Sequence, residues 1–223
     1  KLAQKRPANK KAIRLKKRIA PKRQPKKEKL LKRFHKNPII EPRHKNVWEA
    51  RATFNPAALY ENGKVHLLYR ALGDDDMSTL GYAGSRDGLS FYERLAEPAY
   101  APREIFANLS GRKASLPLNY LSGGGGMGGA EDPRMVKIGD RLYLTFLAFN
   151  GWDSARIALT SISWDDFVNK KWDWKQPIFL SAPREVHKNW VLFPEKINGK
   201  FAVLHGISPK ILIDYFDNLE TLD

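Results

Sequence analysis

Three stretches of the chain can be laid over one another, and each sets a two-residue turn between two apolar or aromatic runs. They are "AALYENGKVHLLYRA" (Ala57 to Ala71), "RMVKIGDRLYLTFLAF" (Arg134 to Phe149) and "PEKINGKFAVLHGIS" (Pro194 to Ser208). Asn62-Gly63, Gly139-Asp140 and Asn198-Gly199 supply the positive-φ positions that tight hairpin turns demand. A further β-rich run ending in an Asp-containing turn follows each hairpin: "LGYAGSRDGLSFYER", "IALTSISWDDFVNKKWDW" and "ILIDYFDNLETLD". Gly63 to Asp87 spans 24 residues and Gly139 to Asp165 spans 26, so the units keep phase. A β-sandwich also shows short strands at regular spacing. The same order of hairpin and Asp turn in three copies instead predicts an all-β propeller, each unit a four-stranded blade. Three blades fall short of the usual ring of four to eight. With the third unit breaking off at Asp223 and no methionine ahead of Lys1, the expectation is a chain of roughly three blades that is incomplete at its C-terminus.

Charge divides the chain in two. Residues 1–36 carry 17 basic side chains against the single acid Glu28, and positions 37–223 carry 22 basic and 23 acidic ones. The first segment, with Pro7, Pro21 and Pro25 and no aromatic before Phe34, has too little to bury and reads as a disordered or partly helical tail. Its clustered cations suit weak association with nucleic acid or another anionic surface through counterion release. Residues 37–223 read as the folded domain. The absence of cysteine excludes a disulfide framework, a thiolate zinc site and a cysteine nucleophile. No apolar run resembles a signal peptide or a membrane span, so a cytoplasmic location is expected.

Polar residues at the ends of a propeller's inner strands face its central channel and are the first candidates for chemistry. "LSGGGGMGGAEDPRM" joins a glycine stretch (Gly123 to Gly126, Gly128 and Gly129) to Glu131, Asp132, Pro133 and Arg134. The glycines permit close backbone approach to a ligand. Asp132, with Glu131 and Arg134 beside it, is a carboxylate whose neighbours can tune it for general-acid work, although an acidic pair before a strand is also an ordinary turn. Asn55 precedes the first strand of one hairpin and Arg70 ends its partner. Both can therefore face the same end of the channel, against the plainer alternatives of a turn-capping Asn and a surface Arg. Arg156 starts the third strand of the second unit, His187 and Lys188 stand just before the strand of the third, and His205 ends the third hairpin in the place Arg70 takes in the first. Cations at such positions point to an anion site. Five scattered histidines without HxH or HExxH spacing offer no metal cluster.

Taken together, "NPIIEP" (Asn37 to Pro42), "VWEARATFNPAALYENGKVHLLYRA", "STLGYAGSRDGLSF", "GGAEDPRMVKIGDRLYLTF", "RIALTSI" and "HKNWVLFPEKINGKFAVLH" resemble the successive motifs of glycoside hydrolase family 130, from Asn37 to Asp223 and in order. The resemblance implies a five-bladed β-propeller. It implies an inverting enzyme that cleaves β-mannosidic bonds, in most members by phosphorolysis to α-mannose 1-phosphate, with manno-oligosaccharide or mannosyl-glycoside as substrate. It makes Asp132 the general acid, donating through a sugar hydroxyl, and places Asn55 and Arg70 on the mannosyl unit. Arg156, His187, Lys188 and His205 fall in motifs that line the phosphate pocket. No cofactor is implied beyond inorganic phosphate as co-substrate, and oligomeric state is left open. Gly206 departs from the pattern, since many phosphorylases of the family have Arg after the equivalent of His205. An inverting β-mannosidase, acting on β-1,2 linkages with Glu195 or a residue beyond Asp223 as base, is the alternative. A non-catalytic sugar-binding propeller with a nucleic-acid-associating tail is a third.

Overall fold

A computed structural model describes residues 31–101, 128–150, 155–183, 185–206 and 210–219. By its contacts the chain divides into Lys1–His35 and Lys36–Asp223, and every strand belongs to the second unit. The expectations for the tail up to residue 30 and for Gly123 to Gly126 lie outside the described residues. Among the described residues no helix is long and apolar enough to cross a membrane.

The second unit is β-structure almost throughout. Strands β1 (Ala52–Glu61), β2 (Lys64–Leu72), β3 (Met77–Ser85) and β4 (Glu93–Arg94) form an antiparallel meander. A second meander comprises β5 (Gly128–Ile138), β6 (Arg141–Asn150), β7 (Ala155–Ser163) and β8 (Ile178–Phe179). The third sheet has three strands in the order β11-β10-β9, with β9 at Val191–Leu192, β10 at Phe201–His205 and β11 at Leu212–Phe216. All three expected turns are present. Asn62-Gly63 (φ 50 and 75) and Asn198-Gly199 (φ 53 and 78) have the doubly positive backbone of a type I′ turn, and Gly139 (φ 61) leads a turn of the II′ kind.

Two details differ from the sequence reading. In the third hairpin the strand before the turn is only Val191–Leu192, and the Asn198-Gly199 turn is closed by a separate bridge between Ile197 and Lys200. The second unit's Asp turn is instead a short helix, α1 (Trp164–Val168). Ser163 Oγ accepts from the Asp166 amide at 3.0 Å and donates to the Asp166 carboxylate at 2.6 Å, so the capping serine wins over a plain turn. In the first unit the expected Asp turn is present, with Asp87 Oδ1 accepting from the amides of Leu89 and Ser90.

The sheets pack face to face, and β6 shows why. Its even residues Leu142, Leu144 and Phe146 pack with Leu68, Leu80 and Tyr82 of the first meander. Its odd residues Tyr143, Leu147 and Phe149 pack with Trp190, Leu192 and Val203 of the third sheet. Apart from Thr145 its interior is apolar on both faces, the mark of a strand buried on both sides, since side chains alternate with period two. The first two meanders are also joined edge to edge by a short parallel pairing, Met77 with Gly128 and Ser78 with Gly129.

Candidate active site

The site is built by two prolines. Pro has no N–H for the ladder, so Asn55-Pro56 in β1 and Asp132-Pro133 in β5 each interrupt their strand. The register of β1 on β2 slips between Phe54 and Ala57, and that of β5 on β6 slips between Glu131 and Arg134. At each bulge the residue before proline takes a positive φ, 44° for Asn55 and 47° for Asp132, a conformation that Asn and Asp tolerate better than other side chains. The two bulges re-aim equivalent side chains at one point, and Asn55 Nδ2 donates to Asp132 Oδ1 at 2.7 Å. These residues lie within their strands, at the bulges, rather than ahead of them as the sequence suggested.

Arg70, paired with Phe54 across the ladder, is 1% exposed and is the largest fully buried side chain among the described residues. Its Nε donates to Ser78 Oγ at 3.0 Å, one terminal nitrogen donates to Glu131 Oε1 at 2.6 Å, and the other lies 3.5 Å from Asp132 Oδ1. The guanidinium also covers the Phe54 ring, 4.6 Å from its centroid. A buried guanidinium is tolerated because its rigid fork finds acceptors on several sides. Glu131 is buried too, and desolvation pushes its carboxyl up to about 7 although Arg70 opposes the shift. Asp132, at 18% side-chain exposure, is the member of the pair open to a ligand. A cleft of about 400 Å³ adjoins these bulges, lined by Pro56, Arg134, Tyr143, Thr145 and Val191 among others.

The remaining candidates are spread more widely. Arg156 donates twice to the Ser181 carbonyl, at 2.9 and 2.7 Å, with its guanidinium 3.9 Å from the Phe179 ring centroid. His187 Nε2 lies 2.7 Å from Glu185, and His205 Nε2 lies 2.8 Å from Asp214 without hydrogen-bond alignment. Both imidazoles pack on the Trp190 ring, at 5.3 and 4.6 Å between centroids. The charge of Lys188 is felt at Glu131, where it favours the ionised carboxyl. The structure thus brings Asn55, Arg70 and Asp132 into contact, with Lys188 in electrostatic range, and gives Arg156, His187 and His205 partners elsewhere. Among the described residues no cluster of three His, Asp or Glu side chains is placed to hold a metal ion.

One sequence expectation is corrected by register. Asn189, φ 61°, is the third unit's counterpart of Asn55 and Asp132. Two residues beyond these three positions come the pairs Ala57 with Leu68, Arg134 with Thr145, and Val191 with Leu204. Counting on by two, the places of Arg70 and Leu147 fall to Gly206, and His205 takes the place of Tyr69 on the opposite face of the sheet. Gly206 has φ 70°, and a Cβ there would stand 2.8 Å from the Lys210 carbonyl, so this position resists any side chain.

A model of glycoside hydrolase family 130, described as beta-1,4-mannooligosaccharide phosphorylase, matches residues 21–216. The chain belongs to this family. Within family 130 it is 34% identical over 203 residues to the 1,2-beta-oligomannan phosphorylase of Thermoanaerobacter sp. (strain X514), covering 85% of this chain and 58% of the relative. It is 32% identical over 200 residues to a beta-1,2-mannobiose phosphorylase of the same organism, covering 82% of this chain and 56% of the relative. The family 130 chain described here therefore spans a little over half the length of these curated relatives. A crystal structure of a glycosyl hydrolase from Bacteroides ovatus superposes with a TM-score of 0.62 at 25% identity, over 82% of this chain and 54% of that one.

Sequence reasoning did not single out Ser78, and it read Glu131 only as a neighbour that tunes Asp132. Ser78 opens the quoted run "STLGYAGSRDGLSF", but nothing in that run assigned it a role. It reaches Arg70 because β3 meets β5 at Gly129, whose φ of 114° and missing side chain admit the Ser78 backbone, its carbonyl 2.1 Å from where a Cβ would stand. Asn189 accepts from Arg134 at 3.1 Å, and Arg134 also donates to the Pro133 carbonyl at 3.1 Å, which ties the third sheet to the Asp132 bulge. The recurring positive-φ polar residue was the available signal for it.

Proposed function

We propose that the protein containing this chain cleaves β-mannosidic bonds of manno-oligosaccharides, β-1,2 bonds foremost, by phosphorolysis with inversion, releasing α-mannose 1-phosphate. The observation that carries this reading is the setting of Asp132, a partly open carboxyl held between Asn55 and Arg70, with its neighbour Glu131 buried and bound. One accessible acid is what a phosphorylase needs, because phosphate arrives already anionic. A hydrolase needs a second carboxylate as base on the opposite face. The kinship with two phosphorylases of β-1,2-mannosides supports the same reading.

In this mechanism a phosphate oxygen attacks C1 of the mannosyl unit from the face opposite the leaving group. Asp132 supplies, through a sugar hydroxyl, the proton that the departing glycosidic oxygen takes up. Asn55 holds the sugar, while Arg70, at 1% exposure, is too buried for the sugar contact the resemblance implied and keeps Asp132 in place. Lys188, whose charge reaches Glu131, marks the anion-binding side, while Arg156, His187 and His205 are held by partners elsewhere. The three sheets are blades of a five-bladed propeller completed in the whole protein, which works in the cytoplasm, where phosphate is at hand. Residues 1–36 give it a separate, salt-sensitive affinity for polyanions. Incubation of the full-length protein with β-1,2-mannobiose, with and without phosphate, tests the reading: sugar phosphate formed only with phosphate supports it, and free mannose formed without phosphate refutes it.

A second reading, inverting hydrolysis, is favoured by Gly206. Its positive φ and the nearby Lys210 carbonyl keep a side-chain cation from the position where many family phosphorylases carry Arg.

A further inference from the structure

The charge balance around Asp132 does not rest on Asp132 and Arg70 alone. The fork of Arg70 has one arm on Glu131 at 2.6 Å and the other 3.5 Å from Asp132, while Ser78 Oγ fixes its Nε at 3.0 Å and lies 3.4 Å from the same Glu131 oxygen. One buried guanidinium is therefore shared between two adjacent carboxyl groups, and whatever charge Glu131 carries decides how much of the Arg70 charge is left for Asp132. We propose that Glu131 is a positioning residue which, through Arg70 and with Ser78 as its anchor, sets the proton affinity of Asp132. This deepens the proposed function and rests on Asp132 being its general acid.

The electrostatics run in one direction. An ionised Glu131 offsets Arg70 and repels a second negative charge, so Asp132 holds its proton to higher pH, as a general acid near neutrality must. A neutral Glu131 leaves Arg70 uncompensated, and Asp132 ionises more readily. The other charged groups facing the pair are Lys188, ahead of β9, and Arg134, whose guanidinium is turned to the Pro133 carbonyl and Asn189. Burial places the Glu131 carboxyl near 7, so its charge changes where the enzyme would work.

The test is the pH dependence of kcat/KM for Glu131→Gln in the full-length protein, with β-1,2-mannobiose and fixed total phosphate so that phosphate's own titration cancels against wild type. Gln keeps the volume and the acceptor for Arg70 while removing the charge. The alkaline limb moves down by about one pH unit, since an uncompensated opposite charge at this range lowers a carboxyl by about 1 to 3 units. Glu131→Asp, which keeps the charge, leaves the limb within a few tenths of wild type even where kcat falls. An unmoved limb in a folded Glu131→Gln protein overturns the proposal, as does an equal shift in Glu131→Asp. If Glu131→Gln fails to fold, Ser78→Ala carries the test: loss of the hydroxyl favours neutral Glu131 and shifts the limb the same way by a smaller amount, and an unmoved limb there overturns the proposal. A wild-type protein that releases no sugar from any β-mannobiose defeats the proposed function instead, and the two failures are distinct.

Discussion

Asn55 and Asp132, 77 positions apart, meet at 2.7 Å because each stands immediately before a proline that breaks its strand, at φ 44° and 47°. The two bulges are the same device in successive units, one delivering an amide and the other a carboxyl. If the contact orients Asp132, Asn55→Ala lowers kcat/KM about 2-fold to 10-fold, the value of one hydrogen bond between neutral groups. Asp132→Asn lowers kcat by a factor of about 10² to 10⁴, the usual loss with a general acid. Steady-state kinetics with unchanged far-UV circular dichroism check both.

Arg70→Met removes one partner of a buried ion pair and leaves Glu131 and Ser78 without it. The expected cost is about 3 to 5 kcal/mol of folding stability, seen as a fall in the urea midpoint, rather than a loss of activity alone. A change below about 1 kcal/mol would contradict a buried ion pair between Arg70 and Glu131.

Glu131 and His66 give stability opposite dependences on pH. Burial holds Glu131 near 7, above its ordinary value of 4.5, so the native state binds the extra proton between these values. Its contribution is most favourable below about 4.5 and is lost as pH rises to 7, by up to about 3 kcal/mol. Urea unfolding at pH 5 and pH 7 shows this slope in wild type relative to Glu131→Gln.

His66 is buried against Tyr82, Trp164 and Phe167, and burial first, then the charges of Lys64 and Lys170, lower it to about 4. Here the native state resists protonation. The His66 contribution is intact above about 6.5 and is lost as pH falls towards 4. A His66→Phe protein lacks that acid-side loss when compared with wild type at pH 6.5 and pH 4.5.

Gly129→Ala forces a Cβ against the Ser78 carbonyl at a φ of 114°. The junction of the two meanders, and with it the Ser78 anchor of Arg70, is disturbed. A destabilisation of about 1 to 3 kcal/mol is expected, read as a lower midpoint.

How much of this was legible beforehand follows from what each signal depends on. Hairpin turns are local, and Asn62-Gly63, Gly139-Asp140 and Asn198-Gly199 announced themselves by composition. The triad Asn55, Arg70 and Asp132 was legible through its family motifs, and the structure adds that the contacts are direct and that Arg70 is buried rather than a surface residue. The parts that escaped depend on register and on pairing between distant strands. The place of Gly206 relative to Asn189 shows only after counting ladder pairs, and Ser78 enters because β3 runs beside Gly129. Helix α1 was missed because Ser163 and Asp166 read equally well as a turn and as a cap.

The central claim is that Asp132 drives inverting phosphorolysis, and the anomer of the first product tests it most directly. Proton NMR of the full-length protein with β-1,2-mannobiose and phosphate, recorded from the first minutes, should show α-mannose 1-phosphate growing in step with mannose, and no such signal with Asp132→Asn. Free α-mannose as the first cleavage product without phosphate, β-mannose 1-phosphate in its place, or full turnover by Asp132→Asn would contradict the account.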